Sequence, residues 1–108
     1  MNGVFKALSD PTRRRVLQLL REQPLSAGEL AEQFPIAKST MSAHFAVLQA
    51  AGLIQAEKTG RTVLYRLKLS VLEDALLGFA QTFGWEMKPE RTRRAMPAGS
   101  RRALKGEA

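Results

Sequence analysis

A mainly α-helical domain carrying one β-hairpin is the fold class that this sequence predicts. Three observations point to it. Apolar residues recur at helical spacing in about five short segments. Two alternating runs, residues 53–58 and 62–67, are joined by Thr59-Gly60-Arg61. Pro, Gly, Ser and Asp fall between the segments, where helices start and stop. The 108 residues suit a single domain. We divide them into a compact part, residues 1–85, and a basic tail, residues 86–108.

The elements follow in order. Val4–Leu8 predicts a short first helix. Ser9-Asp10-Pro11 then restarts the chain: Asp10 precedes a proline and suits an N-cap, and Pro11 suits the first helical position. Val16, Leu17, Leu19 and Leu20 give the second helix an apolar face that ends at Pro24. Ser26 and Glu29 have capping-box spacing, and Leu25 and Leu30 stand where a hydrophobic staple would, so a short helix starts there and stops near Phe34-Pro35. The next helix runs from about Lys38 to Ala51 and ends at Gly52. Its Met41, Phe45 and Leu48 face inward. Its other face shows Ser39, Ser42, Ala43 and Ala46, polar but small and almost uncharged, which suits a surface pressed closely against something.

The alternating runs make the hairpin, with Val63, Tyr65 and Leu67 on one face and Thr62, Leu64 and Arg66 on the other. Ser70 and Glu73 offer a second capping box for a last helix that ends near Phe83, with Gly84 as its stop and Trp85 folding back towards Ala80. The tail, with Pro89, Pro97 and Gly99 and few large apolar residues, is read as weakly structured. This order of helices and hairpin is a winged helix-turn-helix.

Composition narrows the function. The chain has no Cys and one His, which leaves no disulfide, no thiolate metal site and no thiol nucleophile. No catalytic set and no phosphate-cradling glycine loop is present, so an enzyme is not expected, nor a metal or other cofactor. No apolar run approaches the ~20 residues of a membrane span, so membrane insertion is not expected and a cytoplasmic location is. The net charge of +7 calls for an anionic partner. The tail, with seven basic and three acidic side chains, holds net +4 of it.

In a helix-turn-helix, the second helix enters the major groove, roughly 12 Å wide, with its first residues at the base edges. Ser39, Thr40, Ser42 and Ala43 are small enough to permit that approach, and their hydroxyls suit bases or phosphates. Lys38 begins the helix. The start of the Ser26 helix suits a phosphate. Gly60 and Arg61 at the hairpin tip reach towards a neighbouring groove or backbone. His44 lies beside Leu48 rather than on the Ser39/Ser42 face, and a backbone or phosphate partner fits it better than a metal. Arg13-Arg14-Arg15 reads equally as a DNA patch or as ion pairs on a solvated face. Leu72, Leu76, Phe79 and Phe83 form a narrow stripe, and with Val4, Phe5 and Leu8 of the first helix they predict a symmetric homodimer seam.

These motifs resemble one family. Val4-Phe5-Lys6-Ala7-Leu8-Ser9-Asp10-Pro11-Thr12-Arg13-Arg14, then Ser39-Thr40-Met41-Ser42-Ala43-His44-Phe45-Ala46-Val47-Leu48, then Ala51-Gly52-Leu53-Ile54 are similar to the ArsR family of bacterial repressors. Ser26-Ala27-Gly28-Glu29 within Leu25–Phe34 is most similar to the SdpR-type autorepressors among them. The likeness covers about residues 1–83 and leaves out the tail. It implies a homodimeric repressor of double-stranded DNA that releases its operator on a signal. Many relatives sense metals through Cys before the reading helix, or through His and carboxylates on the last helix. Here the first segment has no Cys and the last helix has Glu73 and Asp74 but no His. The resemblance then implies autorepression, or relief of repression by a protein partner. Ala37 stands where relatives often place a Ser cap. Two other readings stay open: an interaction module whose terminal helices and tail bind an acidic or membrane-embedded partner, and a non-specific DNA binder driven by the tail.

Overall fold

The computed structural model describes residues 2–85. In chain order these form α1 (Asn2–Leu8), α2 (Pro11–Glu22), β1 (Leu25–Ser26), α3 (Ala27–Ala31), α4 (Lys38–Ala50), β2 (Ile54–Thr59), β3 (Thr62–Leu67) and α5 (Leu69–Thr82). The tail, residues 86–108, lies outside the described residues, and so does the expectation placed on it. The chain divides into two units, Met1–Leu76 and Leu77–Ala108, each taken by itself.

Local chemistry accounts for most boundaries. The Asp10 carboxylate accepts the Arg13 backbone N–H at 3.1 Å, and Pro11 opens α2. At α3 both arms of the capping box are made: Glu29 N–H donates to Ser26 Oγ at 3.0 Å, and Ser26 N–H donates to Glu29 Oε1 at 2.8 Å. α4 ends in a Schellman turn. Gly52 N–H donates to the Gln49 carbonyl and Leu53 N–H to the Leu48 carbonyl, with Gly52 at φ +78°. Leu48 and Leu53, the apolar pair of that motif, are both fully buried. α5 begins at Leu69, so Ser70 is its second residue rather than its cap, which corrects the second capping box. Its end repeats the α4 device: Trp85 N–H reaches the Ala80 carbonyl at 2.9 Å, although the indole itself is exposed.

The expected hairpin forms, with two corrections: β2 begins at Ile54, and Thr59 belongs to it, standing opposite Thr62 so that the loop is Gly60-Arg61 alone. The structure adds a strand. Leu25 and Ser26 pair antiparallel with Tyr65 and Leu64, giving a three-stranded sheet in the order β1-β3-β2. A two-residue strand has no alternation to read, so the sequence carries no signal for it.

The core of the first unit collects Val16, Leu17 and Leu20 of α2, Leu30 of α3, and Met41, Phe45 and Leu48 of α4, with Leu53, Ile54, Tyr65 and Ala75. α1 closes it with Val4 and Ala7, one turn apart and both buried. Phe45 and Tyr65 lie with ring centroids 5.1 Å apart at 43°, which ties the middle of α4 to the central strand of the sheet. Burial raises the Tyr65 phenol above its ordinary pKa.

Candidate nucleic-acid interface

α3, the Phe34-Pro35-Ile36 turn and α4 form the helix-turn-helix. Three buried side chains at helical spacing hold α4 by one face: Met41, Phe45 and Leu48. The opposite face is therefore turned out as a unit. Ser39, Ala43, Ala46 and Ala50, at i, i+4, i+7 and i+11, form its exposed ridge. Ser42 flanks the ridge on one side and Thr40 on the other, both exposed, as is Lys38 at the first position. Ala46, expected on this face, is exposed; Gln49 and Ala50 extend it beyond the residues expected, and the helical spacing from Ser39 carries them.

Electrostatics at the start of α4 favour an anion. Ala37 is the N-cap, makes no side-chain hydrogen bond, and no acidic residue stands in the first turn. The positive end of a 13-residue helix thus points outward beside the Lys38 ammonium. Ser26 is differently placed. Its amide and hydroxyl oxygen are both engaged in the α3 capping box, so it acts as a cap.

Gly60 and Arg61 lie at the exposed tip of the hairpin. Gly60 takes φ +62°, and a Cβ there would meet no atom within 4 Å, so a left-handed turn rather than crowding selects glycine. Behind the tip, Arg66 Nε donates to Glu57 Oε1 at 3.1 Å across β2 and β3, on the exposed face of the hairpin.

Two of the three consecutive arginines belong to the scaffold. Arg13 Nε and Nη2 donate to the Ala7 and Lys6 carbonyls at 2.8 and 3.1 Å, and Arg14 Nη1 donates to the Leu8 carbonyl at 2.7 Å. Together they satisfy the last carbonyls of α1. Arg15 reaches only Gln18 on its own helix. His44 joins the same cluster: its Nδ1 lies 3.3 Å from Arg13 Nη1 and 3.9 Å from Asp10 Oδ2, and its side chain is 16% exposed. It sits between α4 and the start of α2, away from the Ser39 ridge.

The residues expected at a subunit seam separate by burial. Val4 is buried in the core, while Phe5, Leu8 and Leu72 are half-buried. Leu76 and Phe79 are 43% and 48% exposed, and Phe83 is 72% exposed. The Phe79 and Phe83 rings meet edge to face at 5.1 Å. Among the described residues no group of three His, Asp or Glu side chains could hold a metal. No described helix is long and apolar enough to cross a membrane.

Comparison with known proteins agrees with this geometry. A family model described as a helix-turn-helix domain matches residues 8–55. The transcriptional repressor SdpR of Bacillus subtilis is 43% identical over 76 residues, covering 70% of this chain and 84% of that protein. The crystal structure of an ArsR-family transcriptional regulator superposes with a TM-score of 0.67 at 32% identity, covering 79% of this chain and 97% of that one. An ArsR-like regulator from Rhodococcus sp. RHA1 gives 0.67 at 34% identity, covering 77% of each chain. These are regulators of transcription and not enzymes. The chain belongs to the ArsR family of winged helix-turn-helix transcriptional regulators.

Proposed function

We propose that this regulator is a homodimeric, sequence-specific repressor, and that each α4 enters the major groove of one half-site of a double-stranded operator, including one ahead of its own gene. The observation that carries this reading is the outer face of α4: small side chains on a firmly held helix whose positive end is uncapped. Ser39, Thr40, Ser42 and Ala43 meet bases. Lys38, the start of α3 at Ser26, Gly60 and Arg61 are the candidates for positioning on the backbone, whereas His44, engaged with Arg13 and Asp10, is not. Phe5, Leu8, Leu72, Leu76, Phe79 and Phe83, backed by Val4, form the dimer seam. Control does not run through a metal in this reading, which the absence of Cys and the single His support. A cytoplasmic location follows from the same role.

Fluorescence anisotropy tests it with two duplexes at one fixed salt: the DNA immediately upstream of the gene and a scramble of equal composition. The expected result is much tighter binding to the upstream duplex. If about eight phosphates are neutralised per dimer, log K falls against log salt with a slope of about −7. Equal affinity for every duplex recovered by selection from random DNA would sink the sequence-specific reading.

A further inference from the structure

One cluster joins three elements that a repressor must keep in register. Arg13 holds the C-terminal carbonyls of α1 through Nε and Nη2 and turns Nη1 to His44 Nδ1, in the middle of the reading helix. Its own backbone N–H goes to Asp10 Oδ2, the cap of α2. A guanidinium only donates, so the 3.3 Å contact needs Nδ1 as an acceptor, with the ring proton on Nε2. α1, α2, α3 and β2 pack on α4, as does β3 through the Tyr65 ring. The charged groups they bring to the ring are Arg13 and its cap neighbour Asp10; Lys6 of α1 takes part through its carbonyl. On α3 and β2, Glu29 is bonded to Ser26 and Glu57 to Arg66.

We propose that Arg13 is a positioning residue that fixes the reading helix against α1, with neutral His44 as its latch. The inference rests on the dimeric reading above. In that reading α1 is part of the seam, so the α1–Arg13–His44 link sets the angle of each reading helix to the dimer axis. That angle decides whether two half-sites, about one helical turn apart, are reached together.

Protonating His44 puts a hydrogen on Nδ1. The Arg13 contact is then lost and becomes a repulsion, while Asp10, 3.9 Å away, is drawn from the cap towards the imidazolium. The latch opens in acid. The sign is diagnostic, because a histidine touching a DNA phosphate would do the opposite: its added positive charge would tighten binding as the pH falls.

The test uses the full chain and selected duplexes bearing one or two half-sites, at about pH 8 and about pH 5.5. Two-half-site affinity is expected to fall about tenfold on acidification, the scale of one charged hydrogen bond, with single-half-site affinity little changed. His44→Asn keeps an acceptor near the Nδ1 position but does not titrate, so it should bind the two-half-site duplex as wild type does at pH 8 and lose the pH dependence. Arg13→Lys keeps the charge but loses the fork, and should bind that duplex weakly at both pH values while staying folded by circular dichroism. Tighter binding in acid, no change, or an equal fall on both duplexes overturns the latch. A wild type that sediments as a monomer overturns the dimeric reading and the latch with it, whereas a dimer with a flat pH profile overturns the latch alone.

Discussion

α4 and α5 are almost equal in length, at 13 and 14 residues, yet they offer solvent opposite surfaces. α4 buries Met41, Phe45 and Leu48 and shows hydroxyls, methyls, the Gln49 amide and one ammonium. α5 leaves Leu69, Leu76 and Phe79 substantially exposed, with Phe83 just beyond its end. Single exposed apolar residues are ordinary, but several on one helix are the kind of surface that the proposed dimer seam would cover. The contrast teaches that exposure is informative by kind. On the proposed function, a helix that enters a groove sheds bulk and one that meets a second subunit keeps it, since each buried Å² of apolar surface is worth roughly 25 cal/mol.

The largest effect comes from breaking the inward face on which the outward face of α4 depends. Leu48→Ala, at a fully buried position, should cost about 2–5 kcal/mol in urea unfolding. A loss below about 1 kcal/mol would mean that α4 is not anchored as described. Ser42→Arg addresses the outward face alone. It should weaken specific operator binding about tenfold to a hundredfold with Tm unchanged; unaltered affinity would remove Ser42 from the interface. Leu76→Glu makes the complementary change on α5. Sedimentation should show the dimer shifted to monomer at concentrations where wild type is dimeric, and an unshifted profile would take Leu76 out of the seam.

The smallest effect concerns the cap shared with the latch. The Arg13 backbone N–H first, then the charge that His44 carries when protonated, the Thr12 N–H and the Arg13 charge, hold the Asp10 carboxyl below its ordinary pKa, against the opposing effect of burial. A lowered folded value means that Asp10 stabilises the fold above the ordinary carboxylate range and ceases to do so as pH falls through the lowered value. Asp10→Ala should therefore lower Tm at neutral pH, with the gap to wild type closing in acid. A gap that is the same at every pH would show that the carboxylate charge plays no part.

Much of this was legible in the sequence because the signals are local. Asp10-Pro11, Ser26 with Glu29, and Gly52 act on backbone groups within a few residues, and each performs the expected task. The inward set Met41, Phe45 and Leu48 follows from helical periodicity alone. The failures have one form. Ser70 has capping-box spacing to Glu73, but α5 starts a residue earlier. Val4 looked free for a partner because its cover, α2 and α4, is remote in sequence.

The sequence by itself determined which segments are helical, where most of them stop, the presence of the hairpin and the small outer face of α4, since periodicity and capping depend on neighbours along the chain. Tertiary structure decided the rest. It paired Leu25 with Tyr65, gave Arg13 to α1 and, across 31 residues, to His44, and left Leu69 and Leu76 of α5 exposed. The reason is physical. A hydrogen bond or a buried surface between distant segments depends on which groups the packed core brings within a few ångströms, and no spacing rule along the chain encodes that distance.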